Sequence, residues 1–207
     1  MATTPQQSTV MPDDFRESRM SVFEVILARR SVRSFTAHEL HRSTIKTLLE
    51  AAVRAPTAVH EEPWTFVVMQ DKAALKRLSD RAKPLFVEEA RRAHLDRQGH
   101  SFTVYTETSF NMFYDAGTLI VICAKPMGPF AAADCWLAAE NLMLAARAMG
   151  LGSCVIGSAV AALNLPEVKN ELGIPAEMTA VAPIIVGVPH GEAPTSSRNA
   201  PEILAWI

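Results

Sequence analysis

The sequence predicts a single domain of mixed α and β structure, an α/β or α+β plan with a sheet covered by helices on both sides. Two observations carry this. The runs "TLIVICA" (118–124) and "AVAPIIVGV" (180–188) are apolar throughout, the pattern of strands buried on both faces. Segments between them repeat their apolar residues at helical spacing, which supplies helices to cover a sheet. With 207 residues, 49% of them apolar and 20% charged, the chain can bury a core within one domain.

Taken in order, residues 1–20 are polar, carry Asp13, Asp14 and Glu17, and lack an apolar core region. They read as a loose N-terminal extension rather than a signal peptide, leaving 21–207 as the domain. Ser21-x-x-Glu24 is a capping box ahead of Val22, Phe23, Ile26 and Leu27, which predicts a first helix ending near Arg29. Ile45, Leu48, Leu49, Ala52 and Val53 share one face of a second helix, about 43–54, that Pro56 stops. "WTFVVM" (64–69) reads as a strand, and Asp71 opens a helix through Leu75 and Leu78. Residues 84–110 are helical in propensity but charged nearly all round. They read either as a solvated helix or as an excursion that covers something.

The helix "DCWLAAENLMLAARAMGLG" (134–152) has only Glu140, Asn141 and Arg147 as strongly polar residues between Trp136 and Leu151. So apolar a helix must be buried on every side. A second copy of the chain is the simplest cover, which predicts a homodimer; a central helix inside one chain is the alternative. Gly150 and Gly152 read as its stop. "GLGSCVIG" is not a dinucleotide fingerprint, because a helix rather than a strand precedes the glycines. The small residues from Ser153 to Ser158 let a ligand approach the backbone closely.

Several function classes fall away. A net charge of -2 argues against a nucleic-acid surface. Cys123, Cys135 and Cys154 are far apart and form neither a disulfide framework nor a metal spacing, which suits a reducing cytoplasm. The histidines form no metal constellation, and no apolar run reaches the length of a membrane span.

One cluster stands out. "ARRSVRSF" (28–35) places Arg29, Arg30 and Arg33 around Ser31. Cations at a helix end complement its dipole, and that is one reading. Val32 and Phe35, however, favour extended backbone, in which Arg29, Ser31 and Arg33 share a face. Two guanidinium forks and a hydroxyl on one face suit a phosphate monoester.

A second stretch, "RAPTAVHEEPW" (54–64), joins the first. With both, the sequence resembles the nitroreductase-like family of FMN-dependent oxidoreductases, which carries an early R-R-S-x-R-x-F and a later A-P-[ST]-x-x-N-x-Q-P-W-x-F. The long apolar helix ending G-L-G-S, "FYDAGTLIVIC", and "GVP" followed by Arg198 extend the resemblance from about Ser21 to the C-terminus. It implies an α+β fold with a mixed central sheet, forming an intertwined homodimer with FMN sites at the interface. Arg29, Arg30, Ser31 and Arg33 would hold the phosphate and ribityl chain, with Arg198 a late phosphate partner. Pro56, Thr57 and Ala58 would line the flavin from the other subunit, with His60 a tuning residue beside them. Val155, Ile156 and Gly157 would lie along the ring, a backbone N–H near N5.

The implied activity is a ping-pong cycle from NADH or NADPH to a nitroaromatic, quinone or similar small-molecule acceptor, with no catalytic side chain, because the flavin carries the chemistry. Flavin storage without turnover, and a dehalogenase or flavin-cleaving enzyme on the same scaffold, are the alternatives. The chain departs from the family at His60 and Glu62, where Asn and Gln are usual. Ionised Glu62 accepts hydrogen bonds but cannot donate one. Asn111 is the nearest match to the polar residues that precede the "DA" strand.

Overall fold

The computed structural model describes residues 20–94 and 102–207. Ser21 caps α1 (Val22–Ala28) through the reciprocal capping box with Glu24. His41 caps α2 (Arg42–Ala52), its ring accepting from the Ser43 N–H. Then come β1 (Trp64–Met69), α3 (Lys72–Arg92), β2 (Thr118–Ala124), α4 (Ala131–Ala148), β3 (Gly152–Val155), α5 (Val160–Leu163), α6 (Pro166–Leu172) and β4 (Thr179–Gly187). The N-terminal extension, apart from Met20, lies outside the described residues.

The sheet runs β1-β2-β4-β3, and each named strand pairs antiparallel with its neighbour. This corrects the expected mixed sheet. An unbroken apolar run reports burial on both faces, not strand direction, and β2 and β4 are buried almost end to end in an antiparallel ladder. Among the described residues, parallel pairing is confined to an isolated bridge between Ser31 and Ser153. One apolar layer sets α2 and α4 against one face of the sheet, through Leu48, Ala138, Leu142, Ile120 and Ile184. A second sets α3 and α5 against the other, through Leu75, Leu78, Leu163, Val121 and Ile185. Both faces are therefore covered by helices.

Helix α4 buries Cys135, Ala138, Ala139, Leu142 and Ala146 but leaves Trp136 44% and Leu137 46% exposed. Gly150 ends it in the left-handed conformation, φ 75°. Gly152 has a different task from the expected stop: it begins β3, and a Cβ there would sit 2.8 Å from the Val32 side chain. Gly187 likewise leaves room for Phe35, whose ring would lie 2.9 Å from an added Cβ. These two glycines seat residues 31–36 flat against the sheet's end. Backbone bonds from Val32 N–H to Ser153 O, Thr36 N–H to Val188 O, and His190 N–H to Ser34 O hold the segment there.

Helix α3 continues through Pro84 to Arg92, with Glu88 pairing with Arg91 and Arg92 on its solvent side. The chain returns at Phe102 and packs Tyr105 against Phe86, ring centroids 4.7 Å apart. Buried Lys83 pins this return by donating to the carbonyls of Glu107 and Phe110 at 2.9 and 3.0 Å, while pairing with Asp80 at 3.0 Å. Residues 84–92 thus continue α3, charged on the solvent side, and 102–110 form a cover over Phe86.

Candidate functional site

The extended backbone expected at 31–35 is present, but the arginines do not share one cavity. Arg29 and Arg30 line a cleft of about 350 Å³ together with Val32, Arg147, Ser153 and residues 189–195. Arg30 also donates to the Leu27 and Arg29 carbonyls at 2.6 and 2.7 Å, so it closes the end of α1 as the dipole argument anticipates. Arg29 meets Glu140 at 3.7 Å.

Arg33 lies elsewhere, in a second cavity of about 200 Å³ lined by Phe86, Tyr105, Met112, Tyr114, Val155, Ile156, Gly157 and Ser158. The guanidinium sits 5.9 Å from the Tyr114 ring centroid, within cation–π range. Ser31 and Arg33 flank the Cys154 thiol, which burial pushes above its ordinary pKa and these neighbours partly pull back. The single shared face expected for Arg29, Ser31 and Arg33 therefore splits, because Arg29 ends a helix while Arg33 stands two residues into the extended run.

The floor of the second cavity is backbone. An added Cβ at Gly157 would meet nothing within 4 Å, and its N–H has no acceptor among the described residues. An unspent amide beside open space is a ready donor to a ligand. Tyr114 adopts φ 52°, a conformation uncommon for a bulky side chain outside functional sites. Burial, then the neighbouring Tyr105, raises its phenol pKa against the opposing charge of Arg33, so the hydroxyl stays protonated.

Pro56, Thr57, Ala58 and His60 touch neither cavity. Their loop docks on the start of α4, where the Ala58 N–H donates to buried Asp134. Asp134 and Arg147 lie on that one helix about 20 Å apart at its ordinary rise. Val59, His60 and Glu62 all have positive φ, 46°, 58° and 46°. His60 and Glu62 are exposed, and the Glu62 carbonyl accepts from Lys125 Nζ at 3.5 Å. Arg198 is exposed too, donating to Ser196 Oγ and the Ser197 carbonyl. Asn111 spends its amide on Asp115, 2.8 Å away. Arg147, Phe86, Tyr105 and Tyr114 were not anticipated; a lone arginine late in an apolar helix and aromatics inside a charged excursion carry no local pattern. Among the described residues no cluster of metal-ligating side chains occurs, and no helix is long and apolar enough to cross a membrane.

Fold and site together define an α+β domain with an arginine-walled cleft and a glycine-floored aromatic cavity. The Nitroreductase family model matches residues 26–188, and the chain belongs to that family. A nitroreductase from Bacteroides fragilis, solved with bound FMN, superposes with a TM-score of 0.74 at 29% identity, covering 91% of this chain and 98% of that one. An Archaeoglobus fulgidus protein named "Putative NADH dehydrogenase/NAD(P)H nitroreductase" is 29% identical over 174 residues, 82% of this chain and 86% of its own. The FMN reductase (NADPH) of Bacillus subtilis is 28% identical over 156 residues, 73% of this chain and 56% of its own.

Proposed function

We propose that this protein is an FMN-dependent oxidoreductase that passes reducing equivalents from NADH or NADPH to a flat acceptor such as a nitroaromatic or quinone, one substrate leaving before the next enters. The observation that carries the reading is the Gly157 cavity. It combines a free backbone donor, open space above a glycine, aromatic walls and Arg33, which pairs with no carboxylate among the described residues.

The residues fit FMN. Arg29 and Arg30 form the phosphate end, and Ser31 and Arg33, beside Cys154, stand toward the ribityl chain and the ring. Val155, Ile156 and Gly157 run along the ring, with the Gly157 N–H as the donor this chain offers to N5. When bound, FMN supplies the acceptance and release of a hydride. The chain's part is to bind, orient and stabilise developing charge with a fixed dipole, which needs no acid or base of its own. Phe86, Tyr105 and Tyr114 exclude water from the face where the two substrates alternate.

The functional unit in this reading is a homodimer. Pro56–Ala58 sit at the far end of α4 from Arg147, so a second copy is needed to bring that loop to the flavin. Exposed Trp136 and Leu137 on α4, with Val22, Phe23 and Leu27 on α1 and Leu204 and Trp206 in the tail, give such a copy apolar surface to cover. Arg198, carried by that tail, remains a phosphate partner only in this assembly.

Anaerobic titration of the yellow protein with NADH and with NADPH tests the reading. Bleaching of the flavin, followed by recovery on adding a quinone or nitroaromatic, is the expected result. A flavin that neither nicotinamide reduces would make the protein a flavin carrier.

A further inference from the structure

The Arg29–Arg30 cleft has a third guanidinium. Arg147, in the last turn of α4, lines the same walls from the opposite side to α1. Its Nε is buried and has no hydrogen-bond partner, and no carboxylate lies within ion-pair distance of it among the described residues. Glu140 pairs with Arg29 instead, and Glu192 is the acidic residue on the cleft wall itself. Arg147 as a whole is only half-buried, but a buried N–H left without a partner is costly unless a ligand meets it. The last turn of a helix favours a cation through its dipole, but that leaves the guanidinium fork unspent. Ser153, itself buried, adds a hydroxyl to the same wall.

We infer that Arg147 is a phosphate-binding residue, completing with Arg29 and Arg30 a three-guanidinium grip on the terminal phosphate of the flavin nucleotide. This rests on the FMN reading above and extends it to a residue outside the early arginine cluster. Three forks converging from α1 and α4 hold a doubly charged monoester from more than one side. The same phosphate thereby ties the two helices together.

The test compares dissociation constants for FMN and riboflavin, read by flavin fluorescence, in the full-length wild type and in Arg147→Met and Arg147→Lys. Methionine keeps the apolar stem's volume, so the buried part of the site stays filled. Arg147→Met should weaken FMN roughly 10- to 100-fold, the range for a lost hydrogen bond to a charged group, and leave riboflavin within about threefold. Arg147→Lys should recover part of the loss, because it restores charge without the fork. Unchanged FMN affinity in Arg147→Met would overturn the assignment. Equal loss for both flavins would overturn it too, making Arg147 a structural residue. A wild type that binds FMN no better than riboflavin would overturn the phosphate reading of the whole cleft.

Discussion

The backbone N–H of Ala58 points at the buried carboxylate of Asp134, 3.2 Å from Oδ2 and 3.4 Å from Oδ1. This one contact fastens the 57–60 loop, with its left-handed Val59 and His60, to the first turn of α4. Asp134→Ala removes the acceptor and should destabilise the protein by about 1–3 kcal/mol. Asp134→Asn keeps an oxygen in place and should lose less. Urea denaturation of both variants checks the order; equal losses would mean that the carboxylate's charge, not the bond to Ala58, holds the loop.

Arg29 and Arg33 should separate on mutation, because they occupy different cavities. Arg29→Ala should weaken FMN by about 2–3 kcal/mol, roughly 30- to 150-fold, and spare riboflavin. Arg33→Ala should weaken both flavins, since it borders the Gly157 cavity rather than the Arg29–Arg30 cleft. The pair of dissociation constants in each variant is the measurement.

Gly152→Ala should lower the melting temperature and FMN affinity together. The new methyl would sit 2.8 Å from Val32 Cβ, so the arginine-bearing segment must move off β3. Overpacking of this kind costs about 1–3 kcal/mol. A Gly150→Ala control meets no neighbour and is strained only through its positive φ, so it should destabilise while leaving the FMN preference over riboflavin intact.

Leu137→Glu tests the assembly without disturbing one chain's core, since Leu137 is half-exposed there. Sedimentation should show monomers with weakened FMN binding. A dimer of unchanged flavin affinity would move the interface away from this face of α4.

The three thiols should resist alkylation in the native state. Burial pushes Cys123 up to about 11 and Cys135 up to about 12, and raises Cys154, so thiolate is scarce at neutral pH. In the unfolded chain these thiols ionise near their ordinary values, so the unfolded state binds fewer protons once the pH passes about 9. Stability should be independent of these groups below that point and should fall as pH rises from there toward 11–12. Unfolding midpoints across that window, in wild type and Cys135→Ala, check the sign.

Much of the fold was legible because its signals are local. Residues 64–69 and 118–124 formed strands as expected, each an unbroken apolar run; Ser21 and Glu24 capped α1, and Gly150 ended α4. What failed was non-local. β3 is four small residues whose only strand partner is β4, so nothing in its own composition announces it. The mixed sheet was implied by the resemblance, and the apolar runs, which say nothing of strand direction, could not correct it. In the site, clustering exposed Arg29, Arg30 and Arg33, but only the path of the backbone reveals that Arg33 parts from the others. Phe86 and Tyr105 meet across a charged stretch, a contact that only the return of the chain at 102 creates.

The strand order has a consequence for biosynthesis. β3 carries Val155 and leads into Ile156 and Gly157, yet its ladder partner is β4, which follows it in the chain after α5 and α6. A nascent chain that has released everything through residue 178 still has an unpaired β3, and Ile156 lacks the Pro183 carbonyl that its amide reaches in the finished protein. Chains fold broadly from the N-terminus as they emerge, but here β3 must wait for β4 to complete its ladder. In the proposed reading, the segment that would face the flavin is therefore set only once residues 179–187 are in place, and a product stopped before them has no finished Gly157 cavity.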